Sequence, residues 1–147
     1  MADKVTPAAR SQMMAAVRGK NTTPERTVRG ALFAAGYRYR LHRRDLPGAP
    51  DIILPRFRTA IFVHGCFWHG HTCPRGRRPT SNTEFWNQKL DGNIKRDLQN
   101  QTALRKAGWR VEVLWQCSLA AGCERLLAQL DAMRRSAPSR PDSELTR

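Results

Sequence analysis

The hydrophobic pattern divides the chain into short strands separated by helices and by loops rich in proline and glycine. Apolar residues that alternate with polar ones, or that form short continuous runs, predict strands over residues 37–41, 52–54, 59–63 and 109–115. Apolar residues at helical spacing predict helices over residues 6–16, 22–36, 83–107 and 123–135. From residue 136 the composition turns to serine, proline and arginine, which predicts a disordered tail.

The start and stop signals are strongest for the second helix. Thr22 can cap it, a first-turn proline follows, and Glu25 is favourable at the positive end of the helix dipole. Gly36 would end it. Glu25 therefore has an ordinary role in a helix, and a catalytic role needs other support. Residues 80–83 supply a cap for the long helix, in which Gly92 is a candidate break.

The predicted order is two helices, three strands, a long helix, a strand and a helix. It is typical of an α/β domain with a mixed central sheet covered on both faces. The second and third strands are separated only by residues 55–58, which predicts a hairpin. Asp51 precedes one strand and His64 follows the other, so both would lie at the same end of that hairpin. A carboxylate beside imidazoles suits divalent-metal chemistry on phosphate esters, whereas an isolated aspartate here would cap the loop.

Composition narrows the class of partner. A chain of 147 residues with a hydrophobic share of 40% predicts one domain with its own core. The net charge of +14 attracts polyanions, so nucleic acid is the expected partner, although an arginine-rich proteome would give the same excess. No apolar run approaches the roughly 20 residues that span a bilayer, and the N-terminus lacks the apolar stretch of a signal peptide. We expect a cytoplasmic protein with no membrane partner.

Residues 61–73 hold most of the candidate chemistry, because three of the four histidines and two of the four cysteines lie there. Two thiolates and one imidazole from this segment, with a third thiolate after the last strand, would make a tetrahedral zinc site. The four candidate ligands are Cys66, His71, Cys73 and Cys117. Cys123 is the rival fourth ligand, but its place in an amphipathic helix favours the core. The alternative is that all four cysteines are small buried apolar residues.

The same segment offers two further features. His64 and His69 remain if zinc takes the third histidine, and imidazoles near a carboxylate can transfer protons at neutral pH. Phe67 and Trp68 are adjacent large aromatics, which are more often core residues than ligand contacts. In a basic protein such a pair can also stack between bases, a contact worth roughly 1–3 kcal/mol per base, and would favour weak points in a duplex.

The stretch from His64 to His71 resembles the signature of a known family. It reads His-Gly-Cys-Phe-Trp-His-Gly-His, is followed by Cys73, and is similar to that of the very-short-patch-repair (Vsr) DNA mismatch endonucleases. The resemblance covers most of the chain and leaves out only the extreme N-terminus and the tail. Further blocks in the family's order lie at residues 47–51, 83–86, 93–97, 108–111 and 115–117.

The resemblance implies a restriction-endonuclease-like fold and nicking of duplex DNA 5′ to the T of a T·G mismatch, which arises when 5-methylcytosine deaminates. It implies magnesium-dependent hydrolysis that leaves a 5′-phosphate and a 3′-hydroxyl. The expected enzyme is a monomer that acts at the bacterial nucleoid, and contact with general mismatch-repair proteins is a further expectation. Residues 1–20 would form a DNA-contacting arm, residues 21–135 the nuclease domain, and residues 136–147 the tail.

The resemblance also implies roles for individual residues. Asp51 matches the carboxylate that binds magnesium, and the backbone carbonyl of Val63 would be a second ligand. His64 and His69 would contact the hydrated metal or the phosphate, and one of them would donate or accept a proton. The supporting catalytic positions are matched by Glu25 and Asp97.

Two further groups match structural and DNA-contacting positions of the family. The structural zinc ligands are matched by Cys66, His71, Cys73 and Cys117. The aromatic group that enters the duplex beside the mismatch is matched by Phe67, Trp68 and Trp86. Met14 fits the residue that inserts from the opposite groove.

Two alternatives stand beside the mismatch nicking enzyme. One is a zinc-stapled DNA-binding module without activity, and the other is a related nuclease that prefers other mismatches or sites. The presence of Asp51, His64 and His69 favours an enzyme over the first alternative. The flanking sequence preference depends on base-edge contacts, which the sequence alone does not place.

Overall fold

A computed structural model describes residues 22–136, in which four strands form one mixed sheet in the order β1-β2-β3-β4. The strands are β1 (Arg40–Leu41), β2 (Ile52–Leu54), β3 (Thr59–His64) and β4 (Arg110–Trp115). The first three pair antiparallel, and β3 pairs parallel with β4 over six residues. The predicted helix over residues 6–16, the arm, Met14 and residues 137–147 lie outside the described residues.

Three helices flank the sheet: α1 (Thr23–Ala34), α2 (Thr83–Lys106) and α3 (Leu119–Ser136). Short 3-10 turns lie at Pro55–Phe57, Pro74–Gly76 and Gln116–Ser118. The element order over the described residues is the predicted one, and α2 makes the crossover that a parallel β3–β4 pair requires. Among the helices of residues 22–136, none could span a bilayer.

The core lies on both faces of the sheet, which confirms the predicted layers. Since successive strand residues point to opposite faces, Ile52 and Leu54 pack with α1 and α3, whereas Ile53 packs with α2. Each fully buried side chain of this kind contributes roughly 1.5–3 kcal/mol. The helix residues that complete the first face are Val28, Leu32, Leu126 and Leu130, and Leu104 completes the second.

Several boundaries predicted from local sequence signals are confirmed. The Thr22 hydroxyl accepts a hydrogen bond from the backbone N–H of Glu25 at 3.5 Å, and Gly36 with φ +86° follows the end of α1. The hairpin of β2 and β3 is confirmed, with Ile52 opposite Ile61. Gly92 does not break α2, which is continuous from Thr83 to Lys106. A glycine in a helix costs only about 1 kcal/mol relative to alanine, and a Cβ at this position would meet nothing within 4 Å.

Three predicted boundaries were wrong. The last helix was expected to begin at Cys123, but it begins at Leu119. The strand expected over residues 37–41 is reduced to Arg40 and Leu41, which pair with Ile53 and Ile52 of the three-residue strand β2. Tyr37 instead packs edge-on against Phe57 at 5.7 Å in the core. The tail was expected from residue 136, but Ser136 is the last residue of α3.

Candidate active site and metal cluster

The hairpin brings Asp51 to the end of β3, as its topology requires. The Asp51 Oδ2 accepts a hydrogen bond from the backbone N–H of Val63 at 2.8 Å. Burial raises the pKa of the Asp51 carboxyl to about 6, against the opposing effect of the Val63 N–H, and the nearby Glu25 carboxylate raises it further. Asp51 is thus a desolvated carboxylate held in place by the main chain.

His64 and His69 form a stacked pair beside this carboxylate. Their ring centroids are 3.6 Å apart and the planes differ by 1°. His69 Nδ1 lies 2.6 Å from the Oδ2 of Asp97 on α2. Burial lowers the pKa of His64 to about 3, and the neighbouring His69 lowers it further, so His64 is a neutral imidazole. Its buried Nδ1 has no hydrogen-bond partner within the described residues.

A second pair of groups lies behind Asp51. Glu25, which is buried, lies within hydrogen-bond distance of His42, whose Nε2 is 3.2 and 3.0 Å from the two carboxylate oxygens. Glu25, His42 and Asp51 each place a ligand atom within 4.8 Å of the others. Sequence reasoning missed His42, although it is the one histidine outside residues 61–73 and comes directly after β1.

The acidic groups and the stacked histidines, but not His42, line a groove of about 620 Å³. Carboxylates from α1, the start of β2 and α2 converge there with the two stacked imidazoles. Lys89 and Arg96 of α2 also line it and make one wall basic. The predicted catalytic residues are all brought together in this groove: Glu25, Asp51, His64, His69 and Asp97.

A compact turn separates the groups of the central segment. The N–H of His69 donates to the carbonyl of Gly65 at 3.2 Å, and that of His71 donates to Cys66 at 3.0 Å. Gly70 has φ +63°, and a Cβ there would lie 2.4 Å from Ile94 Cδ1, so a side chain is excluded. The turn sends His69 into the groove and His71 to the opposite side.

On that opposite side lies a cluster of three thiols and one imidazole. It consists of Cys66, His71, Cys73 and Cys117, whose ligand atoms all lie within 4.8 Å of one another. Cys117 Sγ is 3.4 Å from His71 Nδ1, and all the cysteines are free. Cys123, the rival ligand, packs in the core with α3 instead.

The donor set of this cluster fits zinc. Zinc–sulfur distances of about 2.3 Å place tetrahedral ligands roughly 3.8 Å apart, which is compatible with ligand atoms that all lie within 4.8 Å of one another. Burial raises the pKa of the Cys66 thiol to about 11. Burial acts the same way on Cys73, but hydrogen bonds from His71 and the other two thiols outweigh it and lower the Cys73 pKa to about 6. Cys73 is therefore readier than Cys66 to bind a cation.

The aromatic residues of the segment pack against α2. Phe67, Trp68 and Trp86 lie with ring centroids 5.2–6.0 Å apart, and Leu90 completes the cluster. Trp68 and Trp86 are buried, whereas Phe67 is half-buried. The Asn93 side chain donates a hydrogen bond to the carbonyl of Trp68 at 2.9 Å. One face of α2 thus supports both the aromatic cluster and His69.

Trp115, at the end of β4, lies between the groove and the thiol cluster. Its ring stacks on His71 at 4.1 Å with 16° between the planes, and meets His64 edge-on at 5.2 Å. The position directly precedes the turn that carries Cys117. The fold therefore defines a mixed α/β protein in which one short segment contributes to two separate clusters. One cluster has oxygen and nitrogen donors, and the other has three sulfur donors and one nitrogen donor.

Comparison with known proteins identifies the family of this chain. The family model described as DNA mismatch endonuclease Vsr matches residues 2–75. The chain is 39% identical over 126 residues to the DNA mismatch endonuclease Vsr of Escherichia coli, which covers 86% of this chain and 80% of that protein. The chain belongs to the Vsr family.

Other relatives carry the name of nicking enzymes. The chain is 51% identical over 120 residues to the type II nicking enzyme V.XorIIP of Xanthomonas oryzae, covering 82% of this chain and 88% of the relative. It is 45% identical over 119 residues to the type II nicking enzyme V.NmeAIP of Neisseria meningitidis, covering 81% and 85%.

Proposed function

We propose that this protein is a magnesium-dependent DNA endonuclease that nicks duplex DNA 5′ to the T of a T·G mismatch. The observation that carries the proposal is the convergence of Asp51 with the stacked pair His64–His69, and of His69 with Asp97, in one groove. A carboxylate and two imidazoles are suited to phosphodiester hydrolysis, and a net charge of +14 favours DNA as the substrate.

The Asp51 carboxylate fits a divalent cation. Its burial raises its pKa to about 6 even though His42 and His69 act in the opposite direction, so a divalent cation beside it would stabilise the charged form. Asp51 and the backbone carbonyl of Val63 would hold magnesium, a cation that prefers oxygen ligands. When bound, the ion would offset charge on the reacting phosphate and make water easier to deprotonate.

Side chains of the groove would take the proton from the attacking water. Hydrolysis adds the hydroxyl of water to phosphorus, breaks the bond to the 3′ oxygen and leaves a proton on that oxygen. Asp97 accepts a hydrogen bond from His69 Nδ1, which leaves Nε2 free to take the proton from water. His64 stays neutral in this arrangement, so the stacked pair carries at most one positive charge.

The thiol cluster would hold a structural zinc ion. Its ligands join the turn at Cys66–Cys73 to Cys117 after β4, where the stacking of His71 on Trp115 already brings the turn against the strand end. Structural zinc contributes on the order of 10 kcal/mol to the folding of small modules. The ion would fix the turn that carries His69 without taking part in hydrolysis.

The aromatic cluster would open the mismatch. Phe67 is its half-buried member, and a stacked base contributes roughly 1–3 kcal/mol. Unstacking a step costs least where the pair is mismatched. Phe67→Ala should therefore lower the preference for T·G over paired DNA by roughly tenfold, whereas Phe85→Ala, which removes the more exposed ring beside Trp86, should not. Unchanged preference in Phe67→Ala would contradict this role.

The direct test is a nicking assay on end-labelled T·G and T·A duplexes, with and without magnesium. Wild type should cut only the T strand of the T·G duplex, 5′ to the T, and only with magnesium. Asp51→Ala should bind the duplex and leave it intact. Binding without cutting by the wild type would instead favour a DNA-binding module.

A related nicking enzyme with another site preference is a second candidate. It is favoured because two of the relatives above are named type II nicking enzymes. A panel of T·G duplexes with varied flanking sequences, together with other mismatches, separates the two. Equal rates on T·G and on an unrelated mismatch would favour the second candidate.

A further inference from the structure

The one histidine outside the central segment contacts both acids at the base of the groove. His42 Nε2 lies 3.0 and 3.2 Å from the two oxygens of Glu25, so a single N–H is shared by the whole carboxylate. The backbone N–H of His42 donates to the backbone carbonyl of Asp51 at 3.1 Å. The residue thus joins α1 to the start of β2 through two independent hydrogen bonds.

His42 occupies this place at a backbone cost. Its φ is +52°, in the left-handed region where residues other than glycine are uncommon and strained by roughly 1–2 kcal/mol. Strain of this kind persists where the surrounding structure holds a residue for another purpose. Here the conformation turns the side chain onto Glu25 directly after β1 ends.

Within residues 22–136, the Glu25 carboxylate lies closer to His42 than to Arg29. Arg29, one turn along α1, approaches Oε2 at 3.7 Å. Glu25 is 3% exposed, so its orientation depends on these partners rather than on water. His42 itself lies behind the carboxylates, whereas Glu25 and Asp51 line the groove.

We propose that His42 is a positioning residue, which holds the Glu25 carboxylate beside Asp51 so that both acids face the same divalent cation. The proposal deepens the function proposed above and rests on its metal-dependent chemistry. Glu25 and Asp51 place oxygens within 4.8 Å of one another, close enough to share an ion or its hydration shell. Partners that orient a metal's carboxylates typically change metal affinity or activity by 10–100-fold when they are lost.

The test compares two amide side chains of different reach. His42→Gln places its N–H near the position of Nε2, whereas His42→Asn is too short to reach both Glu25 oxygens and tolerates the left-handed backbone. The zinc-loaded full-length protein is titrated with Mn²⁺, and free Mn²⁺ is followed by electron paramagnetic resonance. Each variant is made alone and in the Glu25→Gln background, and Asp51→Ala serves as the blank.

His42→Asn should weaken Mn²⁺ binding by about tenfold or more, and His42→Gln should recover most of that loss. In the Glu25→Gln background His42→Asn should have almost no further effect, because it acts through Glu25. On the T·G duplex His42→Asn should lower kcat and leave KM for DNA unchanged. Far-ultraviolet circular dichroism checks that each variant is folded. If His42→Asn is unfolded, the comparison is made between His42→Gln alone and His42→Gln in the Glu25→Gln background.

Three outcomes would overturn the assignment. The first is a wild-type affinity for Mn²⁺ in His42→Asn, and the second is additive losses of Mn²⁺ affinity in the Glu25→Gln, His42→Asn double variant. The third is a His42→Gln variant that binds Mn²⁺ as weakly as His42→Asn, which would make His42 itself a ligand. If the expected Mn²⁺ pattern is found but no protein nicks DNA, the proposed function fails while the role of His42 stands.

Discussion

The groove and the thiol cluster share one segment, residues 64–73, yet they are built in opposite ways. The groove gathers carboxylates and imidazoles from several elements, and it keeps a buried carboxylate with a raised pKa and a histidine nitrogen without a partner among residues 22–136. The cluster gathers three thiols and one imidazole into a closed set. Buried polar groups without a partner are expected where a substrate or an ion will bind. A complete set of four protein ligands is expected at a metal site that stabilises the fold.

A single turn produces this difference. His69 and His71 are two residues apart, but the hydrogen bonds from their N–H groups to Gly65 and Cys66 curl the chain so that they serve different clusters. Gly70 allows the curl, because its positive φ and its contact with Ile94 exclude a side chain. Separation of the two clusters is therefore a property of the backbone.

The largest effect should come from the thiol cluster. Cys117→Ser should lose the metal and several kcal/mol of unfolding free energy, because structural zinc contributes on the order of 10 kcal/mol. Metal analysis and denaturant unfolding measure both quantities. Cys123→Ala is the matched control, since that thiol packs in the core. Zinc loss in the control, or full stability in Cys117→Ser, would break the comparison.

The next effect concerns the groove alone. Asp97→Asn should lower kcat on the T·G duplex by about 10²–10³-fold, because the amide no longer fixes the His69 tautomer that leaves Nε2 as the base. Zinc content and thermal stability should stay near wild type. Asp91→Asn, on the same helix in an exposed pair with Arg78, should keep its activity. Equal losses in both variants would argue against the His69–Asp97 pair.

Asp51→Asn should abolish nicking but raise the free energy of unfolding. The folded pKa of Asp51 is about 6 and the ordinary value is 3.8, so stability linked to its proton is present below about pH 4 and lost as pH rises through 6. In magnesium-free buffer at pH 7 the variant should gain about 2–3 kcal/mol relative to wild type, and should not nick DNA. The gain should shrink as the pH is lowered to 4. A gain that is independent of pH would contradict the linkage.

The smallest effect should come from the residue between the clusters. Trp115→Leu removes the stacking on His71 and the edge contact with His64, which together are worth about 1–2 kcal/mol of stability. Zinc should remain bound, and nicking should change only a few-fold. Loss of both zinc and nicking would show that the two clusters are coupled rather than merely adjacent.

The sequence predicted the order of elements, the hairpin and both faces of the sheet, because these follow from apolar periodicity and from local caps such as Thr22. It predicted that Asp51 and His64 lie at one end of the hairpin, which the bond from Val63 to Asp51 reflects. It overestimated β1, since strand length depends on the partner strand as well as on alternation. Pairing is a tertiary property that a single segment does not encode.

The site was predictable where residues are close in the sequence and less so elsewhere. The candidate ligands around His69 were predicted from their clustering in one short segment, and Asp97 was predicted from the family resemblance. His42 was missed because its role depends on a left-handed backbone and on Glu25, which is 17 residues away. Asn93 lay within a recognised block, but its contact with the carbonyl of Trp68 is visible only in three dimensions.

The most direct test measures zinc content and magnesium-dependent nicking on the same sample of Asp51→Ala. Separate clusters predict about one zinc per chain, an intact fold and no nicking of the T·G duplex, while wild type with the same zinc content nicks only after magnesium is added. Zinc loss in Asp51→Ala, or nicking by zinc-loaded wild type without magnesium, would contradict the account.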